Sequence, residues 1–270
     1  MSTGLVQNMT DTYQYLFDEI ADPRVSDWWM MDRPWPLLAL LSCYLYFSVV
    51  WGPRYMRSRK PFDLKPVIVA YNCFQIVASF LIFISLVLLS WRRKITLGCE
   101  VIDYSNHPDS VKLVSVFWYG MIVRMADLTE TAIFVLRKKF LQASFLHLYH
   151  HTTSLLLSWS GVKYTAGGVC VFPLMVNSLV HTVMYTYYLL SAIGALTATE
   201  TVLHWKRRLT TLQMVQFVIL IIHSMNMIHP DCPVPRVLFY LHFPNLVMNF
   251  YLFYGFYQRA YNPATKCAKD

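Results

Sequence analysis

Apolar runs of about 20 residues recur seven times along this chain, at roughly Trp35 to Trp51, Val67 to Trp91, Val114 to Leu136, Ala143 to Trp159, Gly167 to Leu190, Thr211 to Ile228 and Val237 to Phe256. A run that long with few charges matches the hydrocarbon thickness of a bilayer crossed by a helix. The expectation is therefore an all-α integral membrane protein with seven transmembrane helices. Composition agrees, with 56% hydrophobic and 14% charged residues and a mean hydropathy of +0.39, outside the range of a soluble domain. The connections are short and no repeat or low-complexity tract interrupts them, so the chain reads as one domain over 1–270. A segment 1–34 precedes the first span and a tail 259–270 follows the last.

Basic residues fall in alternate loops. Arg54, Arg57, Arg59, Lys60, Lys65, Arg137, Lys138, Lys139, Lys206, Arg207, Arg208, Arg259, Lys266 and Lys269 share one side, and eight Lys and Arg share the other. The positive-inside rule then predicts a luminal N-terminus and a cytosolic C-terminus. The sequon at Asn8 would lie on the luminal side, where glycosylation occurs. Cys99 and Cys232 fall in two luminal loops of this topology and are a disulfide candidate in an oxidising compartment. The six cysteines form no zinc-like spacing with histidine, so no metal is expected through cysteine. The first 34 residues show no basic start followed by an apolar core, so no cleaved signal is expected and span one inserts itself. Most prolines fall at span ends; Pro173 and Pro244 lie inside spans five and seven and are expected to kink them.

Within span four, His147-Leu-Tyr-His150-His151 places three imidazoles on one turn, with His147 and His151 one above the other. Ionisable groups inside a membrane are costly and mark function. On span three, Arg124, Asp127, Glu130 and Thr131 share a face. They read either as an ion-pair network that joins helices or as a device that orients the histidines. With a rise of about 1.5 Å per residue, His150, Glu130 and His181 all come to roughly 10 to 15 Å from the basic side, and Gln213 and Gln216 enter from that side. One polar chamber open toward the cytosol would collect them. Histidine can serve as ligand, base or nucleophile. The remaining histidines are scattered singly, which disfavours a metal.

These motifs resemble those of the very-long-chain fatty acid elongase family, over most of the chain. The box His147-x-x-His150-His151 after Arg137-Lys138-Lys139 is similar to the family's own. So are Asn177-Ser178 with His181-x-x-Met184-Tyr185-x-Tyr187-Tyr188, Thr210-x-x-Gln213-x-x-Gln216, and Gly52-Pro53-Arg54-Tyr55 with Tyr71-Asn72. One motif departs. The family's Lys-x-x-Glu-x-x-Asp-Thr reads Arg124-x-x-Asp127-x-x-Glu130-Thr131 here, preserving each charge sign while changing each side-chain length.

The resemblance implies a condensing enzyme of the endoplasmic reticulum membrane that extends a long-chain acyl-CoA by two carbons from malonyl-CoA, giving 3-ketoacyl-CoA, carbon dioxide and CoA. It implies no cofactor beyond malonyl-CoA as co-substrate, and no metal. Six helices would enclose an acyl tunnel with span one peripheral, and residues around Cys99 and Cys232 would cap the tunnel. His150 would be the nucleophile, forming an acyl-imidazole, with His147, His151 and His181 orienting rings, moving protons or stabilising an enolate. Asp127 and Glu130 would hold histidine tautomers. Arg124, Asn177, Tyr185, Tyr188, Gln213 and Gln216 would contact substrate. Partners would be membrane lipid and the reductases and dehydratase of the same cycle, with a homodimer open and no nucleic acid. Two competing readings are a histidine-box di-iron desaturase or hydroxylase, which would need several boxes, and a non-catalytic seven-span transporter or receptor.

Overall fold

The computed structural model describes residues 2–262 apart from Thr197; Lys266, Lys269 and the rest of the tail beyond residue 262 lie outside the described residues. Helices dominate throughout. They are α1 (Ser2–Gln14), α2 (Trp35–Tyr46), α3 (Gly52–Met56), α4 (Lys65–Arg93), α5 (Pro108–Leu136), α6 (Phe145–Tyr164), α7 (Val171–Ala192), α8 (Thr199–Ser224) and α9 (Val237–Tyr261). A π-helical stretch, Phe47–Trp51, joins α2 to α3, so Trp35–Met56 is one continuous rod. Each of the seven expected spans falls on a long helix. The first 34 residues add an eighth, α1, that apolar runs did not signal.

Four of these rods, Trp35–Met56, Lys65–Arg93, Gly168–Ala192 and Glu200–Ile228, are long and apolar enough to cross a membrane by length and composition alone. Helices α5, α6 and α9 have 29, 20 and 25 residues. They carry the ion-pair residues, the three histidines and a run of tyrosines and asparagines respectively, which lowers their hydropathy. The chain is a multi-pass membrane protein. Its helices are built inside out relative to a soluble bundle. On α4, Asn72, Gln75, Ser79 and Ser90 are buried, while Phe74, Val77, Phe80, Leu81, Leu88 and Trp91 are exposed. That pattern suits a polar interior and a lipid exterior.

Six helices pack into a closed ring in the order α4, α5, α6, α9, α8, α7 and back to α4, and the α2–α3 rod lies outside it against α5 and α6. Neighbours along the chain run antiparallel, so one end of the ring carries Arg137–Lys139 and Lys206–Arg208 and the other carries Cys99 and Cys232. We call these the basic end and the disulfide end. Local signals set the helix starts. Ser144 caps α6, its hydroxyl accepting from His147 N–H at 3.4 Å; His107 caps α5 ahead of Pro108. Pro173 stands third in α7, within the first turn, where the N–H it lacks has no helical partner to lose. It therefore interrupts nothing, and only Pro244 sits inside its helix.

The disulfide end is closed by two segments. Cys99 and Cys232 are bonded, with Cα atoms 5.7 Å apart, and pack with Ile102, Val169, Met227, Val234 and Leu238. Residues 21–34 form the second closure. Trp159 Nε1 donates to Met30 O at 2.7 Å, Trp118 Nε1 to Trp29 O at 3.1 Å, and the buried Lys163 ammonium to Met31 O at 2.8 Å. Arg24 reaches Asp22 and the carbonyls of Asp103 and Ser105. Val25 and Met31 thereby join the core made by α4, α5 and α6.

The ring is packed rather than hollow. Leu86, Val114, Met121, Leu155 and Val171 are at most 1% exposed and fill its disulfide-end half. Two surface pockets lie elsewhere. One of about 300 Å³ is lined by Trp28, Trp29, Ser115, Trp118 and Tyr119, and one of about 270 Å³ by His204, Arg207, Arg208 and Thr211. Neither is lined by His147, His150, His151 or His181.

Candidate active site

Helix α6 delivers the three histidines in its first two turns, just inside the basic end. The rings of His147 and His151 lie 4.1 Å apart between centroids, tilted by 52°, and His150 meets His151 edge-on at 5.7 Å. Each ring then finds a different partner, two of them on α5 and one on α9.

His147 faces α5, where its Nε2 lies 2.9 Å from Thr131 Oγ1. Thr131 in turn meets Tyr44 OH at 2.9 Å. Tyr44 belongs to α2, so the helix outside the ring still reaches the histidine cluster through one buried threonine. His151 Nε2 sits 3.7 Å from Glu130 Oε2. His150 turns toward α9, its Nδ1 3.2 Å from Asn249 Oδ1, with Phe217 and Phe253 against the ring.

A second cluster lies one turn further in. Arg124 Nη1 donates to Asp127 Oδ2 at 2.7 Å and contacts the His181 ring, 2.7 Å from Nδ1 and 3.1 Å from Nε2. Asp127 also accepts from Gln75 Nε2 at 2.7 Å and Tyr185 OH at 2.9 Å, and Tyr71 OH bridges Tyr185 and Gln75. Three donors satisfy this buried carboxylate. Arg124, Asp127, Gln75 and His181 are all buried. Among the described residues, Arg124 Nε and Nη2 are buried without partners, an arrangement that costs free energy unless an acceptor arrives.

Arg124, Asp127, Glu130, His147, His150, His151 and His181 therefore gather in two adjoining layers on α5, α6 and α7, with α4 and α9 completing the walls and Gln213 and Gln216 on α8. Asp127 touches no histidine; Arg124 stands between it and His181. Glu130 is the carboxylate beside a histidine ring. Gln213 Nε2 approaches Met184 Sδ at 3.3 Å, and Tyr188 packs on Tyr185 and Tyr187. Gln216 is buried, Asn177 is half-buried, and neither has a hydrogen bond in the described residues. Asn8 is exposed on α1. Sequence reasoning missed Gln75, Tyr44 and Asn249. Each is one polar residue among several on its helix, and nothing in the sequence set it apart from the others.

Among the described residues, one group has metal-ligand character: Glu130, His147 and His151, whose donor atoms lie within 4.8 Å of one another. His147 Nε2 is already engaged by Thr131. A di-iron centre would need more donors than these three.

The family model described as the GNS1/SUR4 family, ELO, matches residues 29–269. The chain is 38% identical over 264 residues to a very long chain fatty acid elongase of Aedes aegypti, covering 97% of this chain and 73% of that protein. It is 38% identical over 244 residues to very long chain fatty acid elongase 4 of Mus musculus, covering 90% and 77%. With the Homo sapiens elongase 4 it shares 37% over 267 residues, 98% and 83% of the two chains.

Proposed function

Because the chain belongs to the ELO, or GNS1/SUR4, family of fatty acid elongases, we propose that its histidine cluster carries out decarboxylative condensation through an acyl-imidazole at His150. The protein is a condensing enzyme of fatty acid elongation, a transferase that joins a long-chain acyl-CoA and malonyl-CoA. The finer mechanism is the proposal.

His150 Nε2 attacks the thioester carbonyl carbon, the C–S bond breaks, and CoA leaves as a thiolate that takes up a proton. Malonyl-CoA then enters and loses carbon dioxide. The C–C bond electrons become an enolate, whose carbon attacks the acyl carbon and returns the pair to His150. Both steps pass through an oxyanion. The two unpartnered nitrogens of Arg124, Nε and Nη2, are donors available to it, and this is the observation that carries the reading. Glu130 and His151 exchange the proton, and Asp127 fixes Arg124. Exclusion of water protects the acyl-imidazole from hydrolysis. Asn177, Tyr185, Tyr188, Gln213 and Gln216 contact the substrate. The reaction uses no metal, so chelation leaves the rate unchanged.

In this reading seven helices span the endoplasmic reticulum membrane with the basic end cytosolic and the N-terminus luminal. CoA enters at the basic end. The acyl tail runs toward the disulfide end, displacing the side chains that fill the ring there, and residues 21–34 with the Cys99–Cys232 segment close its path. The 3-keto product then needs reduction, dehydration and a second reduction by partner enzymes.

The test incubates wild-type protein and His150→Ala with a panel of acyl-CoAs, with and without malonyl-CoA, and follows intact-protein and product mass. An acyl adduct confined to wild type, discharged by malonyl-CoA into a product two carbons longer, is expected. Condensation that persists in His150→Ala would overturn the nucleophile assignment.

A further inference from the structure

The hydrogen bonds around His150 determine which of its two nitrogens can react. Asn249 is 1% exposed. Its Nδ2 donates to the main-chain carbonyl of Asn245 at 2.9 Å and to Asn245 Oδ1 at 3.1 Å. A main-chain carbonyl only accepts, so the amide cannot be turned end for end without setting two oxygens against each other. Asn249 Oδ1 is thereby committed to His150 Nδ1, 3.2 Å away. An amide oxygen also only accepts, so Nδ1 must carry the hydrogen, and the neutral imidazole is left with its lone pair on Nε2.

The other rings differ. His147 Nε2 is taken by Thr131, His151 Nε2 faces the Glu130 carboxylate, and both nitrogens of His181 lie within reach of Arg124. Of the four site histidines, His150 alone combines an Nδ1 held by an acceptor with an Nε2 that takes no hydrogen bond among the described residues; the rings of Phe217, Phe253 and His151 cover its sides.

We propose that Asn249 is a positioning residue that selects the Nδ1–H tautomer of His150 and so makes Nε2 the nucleophile. The inference rests on the reading of His150 given above. It explains why a neutral amide stands there. When acyl transfer to Nε2 leaves the ring positive, the Nδ1–H···O contact strengthens. A carboxylate in its place would hold a proton on the ring beforehand and occupy the lone pair that must attack. The contact joins α6 to α9, so the reactive tautomer exists only once the ring of helices has closed.

The experiment uses full-length protein in nanodiscs with ¹⁵N-labelled histidine, the His150 signals being assigned by their loss in His150→Gln. Wild type is expected to show a protonated Nδ1 and a bare Nε2. Asn249→Leu, close in shape but without an acceptor, is expected to shift the population toward Nε2–H. It should also slow acylation, in the absence of malonyl-CoA, by about 10- to 100-fold, as loss of a supporting hydrogen bond does at other sites. Its acyl-CoA affinity stays unchanged. Asn249→Asp is expected to keep Nδ1 protonated but to hold a second proton on Nε2, so acylation stays slow; acylation at the wild-type rate in that variant would count against the need for a neutral acceptor. A wild-type His150 protonated at Nε2 overturns the proposal without any variant having to fold, and so does Asn249→Leu acylating at the wild-type rate. Acylation that survives in His150→Gln instead defeats the nucleophile reading and leaves the tautomer result standing.

Discussion

Arg124 shows how one side chain can serve stability and chemistry at once. Its Nη1 joins Asp127 to His181, while Nε and Nη2 have no partner. Arg124→Met would leave the Asp127 carboxylate, 2% exposed, without its cation, and removal of one member of a buried pair costs about 3–5 kcal/mol. Chemical unfolding in detergent should show that loss, together with loss of condensation. Arg124→Lys keeps the charge but lacks the planar fork. It should recover most of the stability while condensation stays on the order of tenfold slower, because a single ammonium cannot replace three nitrogens. Tyr44 makes a subtler case. Tyr44→Phe leaves the packing and removes only the hydrogen bond to Thr131, a contribution of about 0.5–1.5 kcal/mol. The expected outcome is a condensation rate several-fold lower at unchanged acyl-CoA affinity.

Elements were readable where their signal is local. The histidine helix has a serine cap and the third long helix a histidine–proline start, and the apolar runs located every long helix beyond residue 34. Boundaries moved where polar residues extend a helix past the lipid. Helix α8 begins at Thr199 rather than near Thr211, and α5 begins at Pro108 rather than Val114. Both additions are polar turns that hydropathy cannot register. The short segment before α7 depends on contacts distant in sequence. Gly168 has φ +50°, and a Cβ there would lie 2.6 Å from Glu100 O and 2.9 Å from Ile102 N. Both obstacles are backbone and cannot rotate away. Gly168→Ala is expected to destabilise by about 1–3 kcal/mol, measured by thermal unfolding, and to raise the exchange of amide hydrogens in residues 99–103.

At the scale of the whole molecule, the disulfide end holds the ring together and should respond to acid. The Ser110 hydroxyl, 2.6 Å from Asp103 Oδ2, the Ser105 N–H at 2.8 Å from Oδ1, and the neighbouring Arg93 hold the Asp103 carboxyl well below the usual carboxylate range. A depressed carboxylate contributes stability that is complete above its unfolded value of about 3.9 and disappears as pH falls through the folded value. Wild type should therefore unfold at higher temperature than Asp103→Asn at neutral pH. The gap should persist to about pH 4 and narrow below it, as read from melting temperatures against pH.

The sequence alone determined that this is a helical membrane protein, that its histidine cluster lies near the basic end, and that His147, His150 and His151 share a turn. Those properties follow from hydropathy and helical period, which depend on neighbours in the chain. Only the tertiary structure decided that α9 supplies Asn249 to His150, that Arg124 rather than Asp127 meets His181, that Tyr44 reaches in from outside the ring, and that residues 21–34 close the disulfide end. Each of those contacts joins segments far apart in the chain. Depth along a helix can be counted in residues, but the direction in which a ring points is set by how six helices rotate against one another as they close.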